Sequence, residues 1–334
     1  GFVEGFVLAP SPAVDSELAL LLDSPTPSLV AVAIDVLGAR GSLPVDAPER
    51  VLSRRDAVLT KKLASALGRA LPKTNAIRVL VDLLDDEPDD DLFGVVATSL
   101  LRRGDGAVRQ RLRDAIIARG SRVAIATKLL ALSGRPEDCS LLLDGAKLAL
   151  RADVVDALGR YGHVNVIPVL IETLASEDDE IVAAAATALD FITNAGLRET
   201  VQEPWAGEGA APDDAPAATR PVSKPVKERL RWHEWHNEAR GRLDPRLKLR
   251  AGRPFVPSMI VDELVSTAPP ARRADAALEL VIATNVGTRF STTDWCKRQK
   301  EQLSELGAHL RSLDASAAGA FWFAGAPTVY ATSI

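Results

Sequence analysis

The chain has 334 residues, 47% of them hydrophobic and 25% charged, with a formal net charge of -5. That composition is ordinary for a soluble globular protein and excludes wholesale disorder, a coiled-coil rod and a collagen-like fibre. No apolar run reaches the roughly 18–20 residues that a membrane-crossing helix needs, and the acidic balance argues against nonspecific nucleic-acid binding.

In chain order, Ser11-Pro12 and Thr26-Pro27 each set a capping hydroxyl ahead of a proline, the pattern of a helix start. They predict helices over 14–22 and 28–37, with Asp23-Ser24-Pro25 as the turn between them and Gly38 and Gly41 as the close. The same unit recurs. An amphipathic stretch over 76–84 leads through Asp85-Asp86-Glu87-Pro88 into a second apolar helix over 92–101. A stretch over 166–174 leads through Ser176-Glu177-Asp178-Asp179 into another over 181–192. Glycines at 38, 68, 104, 134, 159 and 196 are read as recurrent helix ends. No alternation of branched residues competes for a strand assignment here. Helix pairs at this spacing bury their apolar stripes only by stacking on neighbours, which predicts an all-α fold built as an α-solenoid.

The composition then shifts. Residues 201–227 are rich in Pro and Ala and read as a linker or an inserted loop. Helical pattern resumes at 227–240, 257–265, 272–284 and 295–313, with Ser291-Thr292-Thr293-Asp294 as a cap before the last. The apolar tail from Phe321 to Tyr330 is expected to pack on the body. Three regions follow: repeats over 1–200, the linker or loop over 201–227, and a helical C-terminal region over 228–334 that extends or continues the solenoid. Because the chain opens on Gly1 and its single methionine is Met259, a trimmed or partial start is expected.

A proline-tolerant first helix, an Asp-rich turn and an Ala-rich second helix resemble HEAT repeats in a short form, over about residues 10–200. The likeness implies an α-α superhelix of the HEAT/armadillo-like kind. The second half carries its own series: Trp232 and Trp235, Arg250-Ala251-Gly252-Arg253-Pro254, the helix with Ala276-Ala277-Leu278-Glu279-Leu280, and Trp295 with Arg298-Gln299 before Leu303. This resembles a group of proteobacterial HEAT-repeat proteins without an established activity, some encoded near type VI secretion genes. It implies a bacterial protein with a protein partner, and it brings no catalytic residues; the absence of a basic stretch followed by an apolar one at the start of the sequence makes a cytoplasmic location the default expectation.

Motifs for chemistry are scarce. GxxxxGK[ST] and GxSxG are absent, and the Gly207-Glu208-Gly209 fragment lies in a proline-rich stretch rather than between a strand and a helix. Cys139 and Cys296 form no CxxC pair. His233 and His236 are three apart, one short of the zinc-protease spacing, and lack an evident third ligand. No metal or cofactor is therefore expected.

Two charged features remain. Asp85, Asp86, Asp89, Asp90 and Asp91 form an acidic patch, read either as a docking surface for a basic partner or as helix-capping aspartates. Residues 220–253 carry 11 basic and 4 acidic side chains, although residues 1–200 carry 22 and 29. Within that basic stretch, Arg231, Trp232, Trp235, Arg240, Arg242 and Arg246 are candidate binding residues. Read functionally, they stack on bases and grip phosphates, as on the basic, aromatic concave face of a HEAT-fold DNA glycosylase. Read structurally, both indoles pack on the solenoid and the arginines pair with acids. The balance favours a non-enzymatic protein-binding scaffold, with a nucleic-acid binder as the alternative.

Overall fold

The structure is a computed structural model that describes residues 11–69, 73–86, 88–204, 219–266, 270–286, 290–292, 296–314 and 317–328. Glu87, the centre of the linker stretch at 205–218, the Thr293-Asp294 cap with Trp295, and Tyr330 lie outside the described residues.

The fold is all-α. The first two-thirds of the chain alternate first and second helices. They are α1 (Pro12–Leu20), α2 (Pro27–Arg40), α3 (Ala47–Leu52), α4 (Ala57–Leu67), α5 (Lys73–Asp85), α6 (Asp90–Arg102), α7 (Val108–Ile117), α8 (Val123–Ser133), α9 (Cys139–Leu148), α10 (Ala152–Tyr161), α11 (Ile167–Thr173) and α12 (Asp179–Thr193). The even-numbered helices pack in series, α2 on α4, α4 on α6, α6 on α8, α8 on α10 and α10 on α12. Each of α1, α3, α5, α7 and α11 packs on the helix that follows it, and α9 packs back on α8. The even-numbered row thus carries the continuous apolar core, from Val30, Ile34 and Leu37 in α2 to Leu189 and Ile192 in α12.

The helix starts correct one expectation. Ser11 and Thr26 stand at N-cap positions with extended backbones and proline behind them, but neither side chain makes a capping hydrogen bond. Asp56, Asp89 and Asp178 do, accepting from Leu59, Leu92 and Glu180 backbone N–H groups. A carboxylate also complements the positive end of the helix dipole, which a hydroxyl does not.

The glycines divide in two. Gly41 and Gly162 take left-handed backbones at helix ends. Gly38 and Gly159, read from sequence as ends, lie inside α2 and α10. A Cβ on Gly38 would fall 2.5 Å from the Ala66 Cβ, and one on Gly159 would fall 2.8 Å from the Ala188 Cβ. These two residues let consecutive helices of the row approach closely.

The linker stretch contains a β-hairpin. β1 (Arg198–Pro204) pairs antiparallel with β2 (Thr219–Pro225), with Val201 opposite Val222. Prolines at strand ends and edges remove only outward donors, so their abundance does not prevent the pairing. Beyond it, α13 (Arg229–Ala239) packs on α11. A short hairpin, β3 (Leu249–Arg250) with β4 (Arg253–Pro254), is stitched to the row by backbone bonds from Leu249 to the Gly162 carbonyl and from Ala251 to the Phe191 carbonyl.

The last helices, α14 (Ser258–Val265), α15 (Pro270–Thr284) and α16 (Cys296–Asp314), hold a second apolar cluster around Phe255, Leu264, Leu280, Leu310 and Trp322. β5 (Phe321–Phe323) and β6 (Ala326–Thr328) form a hairpin whose Phe321 and Trp322 are buried, and β5 packs on α15. α15 also packs on α6 and α8, so this region folds back onto the middle of the row. Among the described residues no helix is long and apolar enough to cross a membrane.

Candidate functional site

The acidic run is spent on joints between successive units. Asp89 caps α6, with Leu92 N–H donating to its carboxylate at 2.7 Å. Lys61 of α4 reaches Asp91 at 2.8 Å, and Arg122 ahead of α8 reaches Asp90 at 2.9 Å. Arg111 of α7 pairs with Asp85 of α5. Hydrogen bonds from Ser121 and Arg122 hold the Asp90 carboxyl below its ordinary value. Asp86 is exposed.

Where α4, α6 and α8 run side by side, their exposed faces line a groove of about 600 Å³, within the usual range of ligand-sized clefts. From α4 and its end come Lys61, Ser65 and Arg69; from α6 come Asp90, Asp91, Val95, Thr98 and Arg102. α8 contributes Ala124 and Ile125, and Arg151 and Leu278 of α15 complete the wall. Arg69 and Arg102 lie at the C-terminal ends of parallel helices, where the dipoles favour cations. Burial, and then the neighbouring Arg69 charge, push Arg102 down to about 10.

The Trp/Arg segment is only partly assembled. Trp232 is completely buried on α13, its indole N–H donating to the Val226 carbonyl at 2.9 Å. Trp235 is half-buried and meets Trp232 edge-on, with ring centroids 6.0 Å apart. Trp232 is therefore withheld from any base. Arg231, Arg240 and Arg242 are exposed. Arg246 pairs locally with Asp244 at 2.8 Å, and its hydrogen bonds hold the Asp244 carboxyl down at about 2. Arg229 and His233 both reach Glu172, at 3.2 and 3.1 Å. Burial, Arg240 and His233 lower His236. Among the described residues no group of three or more His, Cys, Asp or Glu side chains could hold a metal ion.

Sequence reasoning missed the strongest electrostatic feature, a buried charge cluster. Glu279 of α15 is fully buried and accepts from Lys248 Nζ at 3.0 Å, Arg250 Nη2 at 2.6 Å and Arg160 Nη1 at 3.3 Å. Arg160 Nη2 also donates to Glu263 Oε1 at 2.8 Å. Burial alone would raise the Glu279 carboxyl, but the Arg250, Lys248 and Arg160 charges outweigh it and hold it far below the carboxylate range. Burial lowers Lys248 against the pull of Glu279. The cations also lie over aromatic faces: Arg250 is 4.8 Å from the Phe191 centroid and Arg160 5.6 Å, while Lys248 is 4.3 Å from Phe255. The cluster locks α10 and α12 to α14 and α15. Its only sequence signal is a lone Glu inside the apolar Leu278-Glu279-Leu280, whose partner Arg160 lies 119 positions away.

His163 adjoins this joint. Its Nδ1 accepts from the Asn165 N–H at 3.1 Å, and Cys139 Sγ lies 3.7 Å from the same atom. Burial pushes His163 down to about 4 and Cys139 up to about 11. The folded His163 thus stays neutral where the unfolded one gains a proton. Stability is expected to fall as pH drops from about 6.5 towards 4, by roughly 3 kcal/mol from this group. Urea midpoints at pH 7 and 5 check the slope; an imidazole whose proton resonances titrate near 6.5 in the folded chain contradicts it.

No family model matches the chain, and no curated protein matches it.

Proposed function

We propose that this chain is a non-enzymatic, cytoplasmic protein-binding scaffold, an accessory to a bacterial assembly such as a secretion machine, that receives its partner in the groove across α4, α6 and α8. The observation that carries the reading is the groove itself. It is built from the helices of the continuous row, and it mixes charges, hydroxyls and aliphatic side chains. Such a lining suits a peptide chain, which offers all three kinds of group. The likeness to HEAT repeats points the same way, since stacked helix pairs present extended binding surfaces.

The nucleic-acid reading keeps one observation in its favour, the exposed Arg231, Arg240 and Arg242. It loses the stacking platform, because Trp232 is buried.

A pull-down from native lysate with the purified chain, with and without nuclease, tests the proposal. A stoichiometric protein partner that survives nuclease is expected. Recovery of nucleic acid alone, abolished by Arg231→Ala with Arg242→Ala, overturns the scaffold reading.

A further inference from the structure

The hairpin of β1 and β2 is a two-stranded sheet, and its two outer edges differ. The register fixes which backbone groups face the partner strand. Val226 N–H donates to the Leu197 carbonyl at 3.0 Å, so these two residues form a hydrogen-bonded pair at the base of the ladder. Such pairs alternate with non-bonded ones along an antiparallel ladder. Glu199, Val201 and Glu203 therefore bond inward to Lys224, Val222 and Arg220, while Arg198, Thr200 and Gln202 turn their N–H and carbonyl groups outward. On β2 the outward positions are Pro221, Ser223 and Pro225. The two prolines have no N–H to offer, and the Arg198 guanidinium already donates to the Ser223 carbonyl at 2.9 Å. The edge of β2 is thus closed to a further strand. No proline interrupts β1 before Pro204. Thr200 and Gln202 are exposed, and among the described residues no backbone group bonds the outer side of β1.

From this asymmetry we infer that β1 takes an extended segment of a protein partner as a third, antiparallel strand, and that the segment alternates basic and apolar residues along one face. Main-chain bonds to an open edge give such a strand its affinity, and the side chains on alternate positions give it specificity. The surface lies apart from the groove, none of whose lining residues belongs to the hairpin, so it stands or falls independently of the groove. Glu199, Val201 and Glu203 share the half-buried face of β1. Val201 sits opposite Val222 there, an apolar centre that an aliphatic residue of the incoming strand extends. Lys224, which faces Glu199 across the ladder, is engaged with Glu203. Glu199 is left without an ion pair among the described residues, and a Lys or Arg opposite it on the new strand supplies one. A second copy of β1 fits less well. Paired antiparallel about Thr200, it brings its own Glu199 and Glu203 onto the same face and offers Glu199 only a valine.

Fluorescence anisotropy with the full chain tests the inference. The probe is a labelled peptide, Thr-Lys-Thr-Val-Thr-Lys-Thr. One companion carries Glu for Lys; another is N-methylated on its third and fifth residues, which removes the donors that meet β1 when Val lies opposite Val201. Thr200→Pro deletes an outward N–H and leaves the ladder to β2 its own bonds, as Pro221 and Pro225 do on the other strand. Glu199→Gln removes a charge and leaves the backbone untouched, so it keeps the test decisive if circular dichroism shows Thr200→Pro to be misfolded. Glu238→Gln, an exposed acid on α13, is the control. The Lys peptide is expected to bind, and to lose about fivefold or more in affinity in Thr200→Pro and in Glu199→Gln but not in Glu238→Gln. The N-methylated and Glu peptides are expected to bind more weakly than the Lys peptide. The inference is overturned if the Lys peptide does not bind, if either companion binds equally well, or if Glu199→Gln weakens it no more than Glu238→Gln. Sedimentation completes the test: a parent chain that dimerises, and that Thr200→Pro turns monomeric, gives the edge to a second copy and overturns the inference as well.

Discussion

Glu279→Ala is expected to destabilise the chain by about 3–5 kcal/mol, because it leaves Arg160, Lys248 and Arg250 buried without the carboxylate they share. Each of those cations is nearly or completely withdrawn from water. The cluster can neither hydrate them nor redirect all three to Glu263, which Arg160 already engages at 2.8 Å. Glu279→Gln keeps an acceptor and loses only the charge, so a smaller loss is expected. Because the cluster ties α10 and α12 to α14 and α15, the loss has a location: hydrogen exchange is expected to rise first in α14 and α15, ahead of α4 and α6. Urea denaturation followed by circular dichroism gives the size, and exchange gives the place. A Glu279→Ala protein as stable as the parent would mean that the cations find water or another anion when the carboxylate is gone. The sign with pH follows from the depressed Glu279 carboxyl. Its stabilisation is fully present above the ordinary glutamate pKa and is lost as pH falls below it towards the lower folded value.

The second large effect is expected at Trp232. Trp232→Ala removes a side chain with no exposed surface, together with the indole hydrogen bond to the Val226 carbonyl, and should cost about 3–5 kcal/mol. Arg231→Ala, one position earlier and exposed, should stay within about 0.5 kcal/mol. The pair separates the two roles weighed for this segment. If Trp232 served as a stacking platform, its loss would weaken oligonucleotide binding and leave stability nearly unchanged. With the indole inside, the thermal midpoint falls instead. A Trp232→Ala chain that unfolds at the parent's midpoint would contradict the burial.

The repeating helix pairs were legible in the sequence because their signals are local. Proline at the first helical position, aspartates ahead of apolar runs and a helical apolar period each act within a few residues. They located α2, α6, α12, α15 and α16 to within a few positions. What the glycines do was less legible, since Gly38 and Gly159 matter for the neighbouring helix they touch. The hairpin of β1 and β2 was hidden for a related reason: the two strands are separated by a proline-rich stretch, and strand pairing is a contact between segments rather than a property of either.

The candidate sites divide in the same way. Composition alone marked the acidic run and the Trp/Arg segment as dense in charge, but density does not say which charges are already matched. The tertiary structure pairs Asp85, Asp90 and Asp91 with bases 26 to 32 positions away. It buries Trp232 and leaves Arg231, Arg240 and Arg242 in solvent. The groove was not visible at all, because its residues come from α4 and its end, from α6 and α8, from Arg151 ahead of α10 and from α15, and they converge only when these elements pack. By itself, then, the sequence determined the all-α class and the order of its helices, through short-range capping and periodic burial. Only the tertiary structure decided which charges meet, because Coulomb interactions act across space, and helices far apart in the chain are brought within a few ångströms of one another.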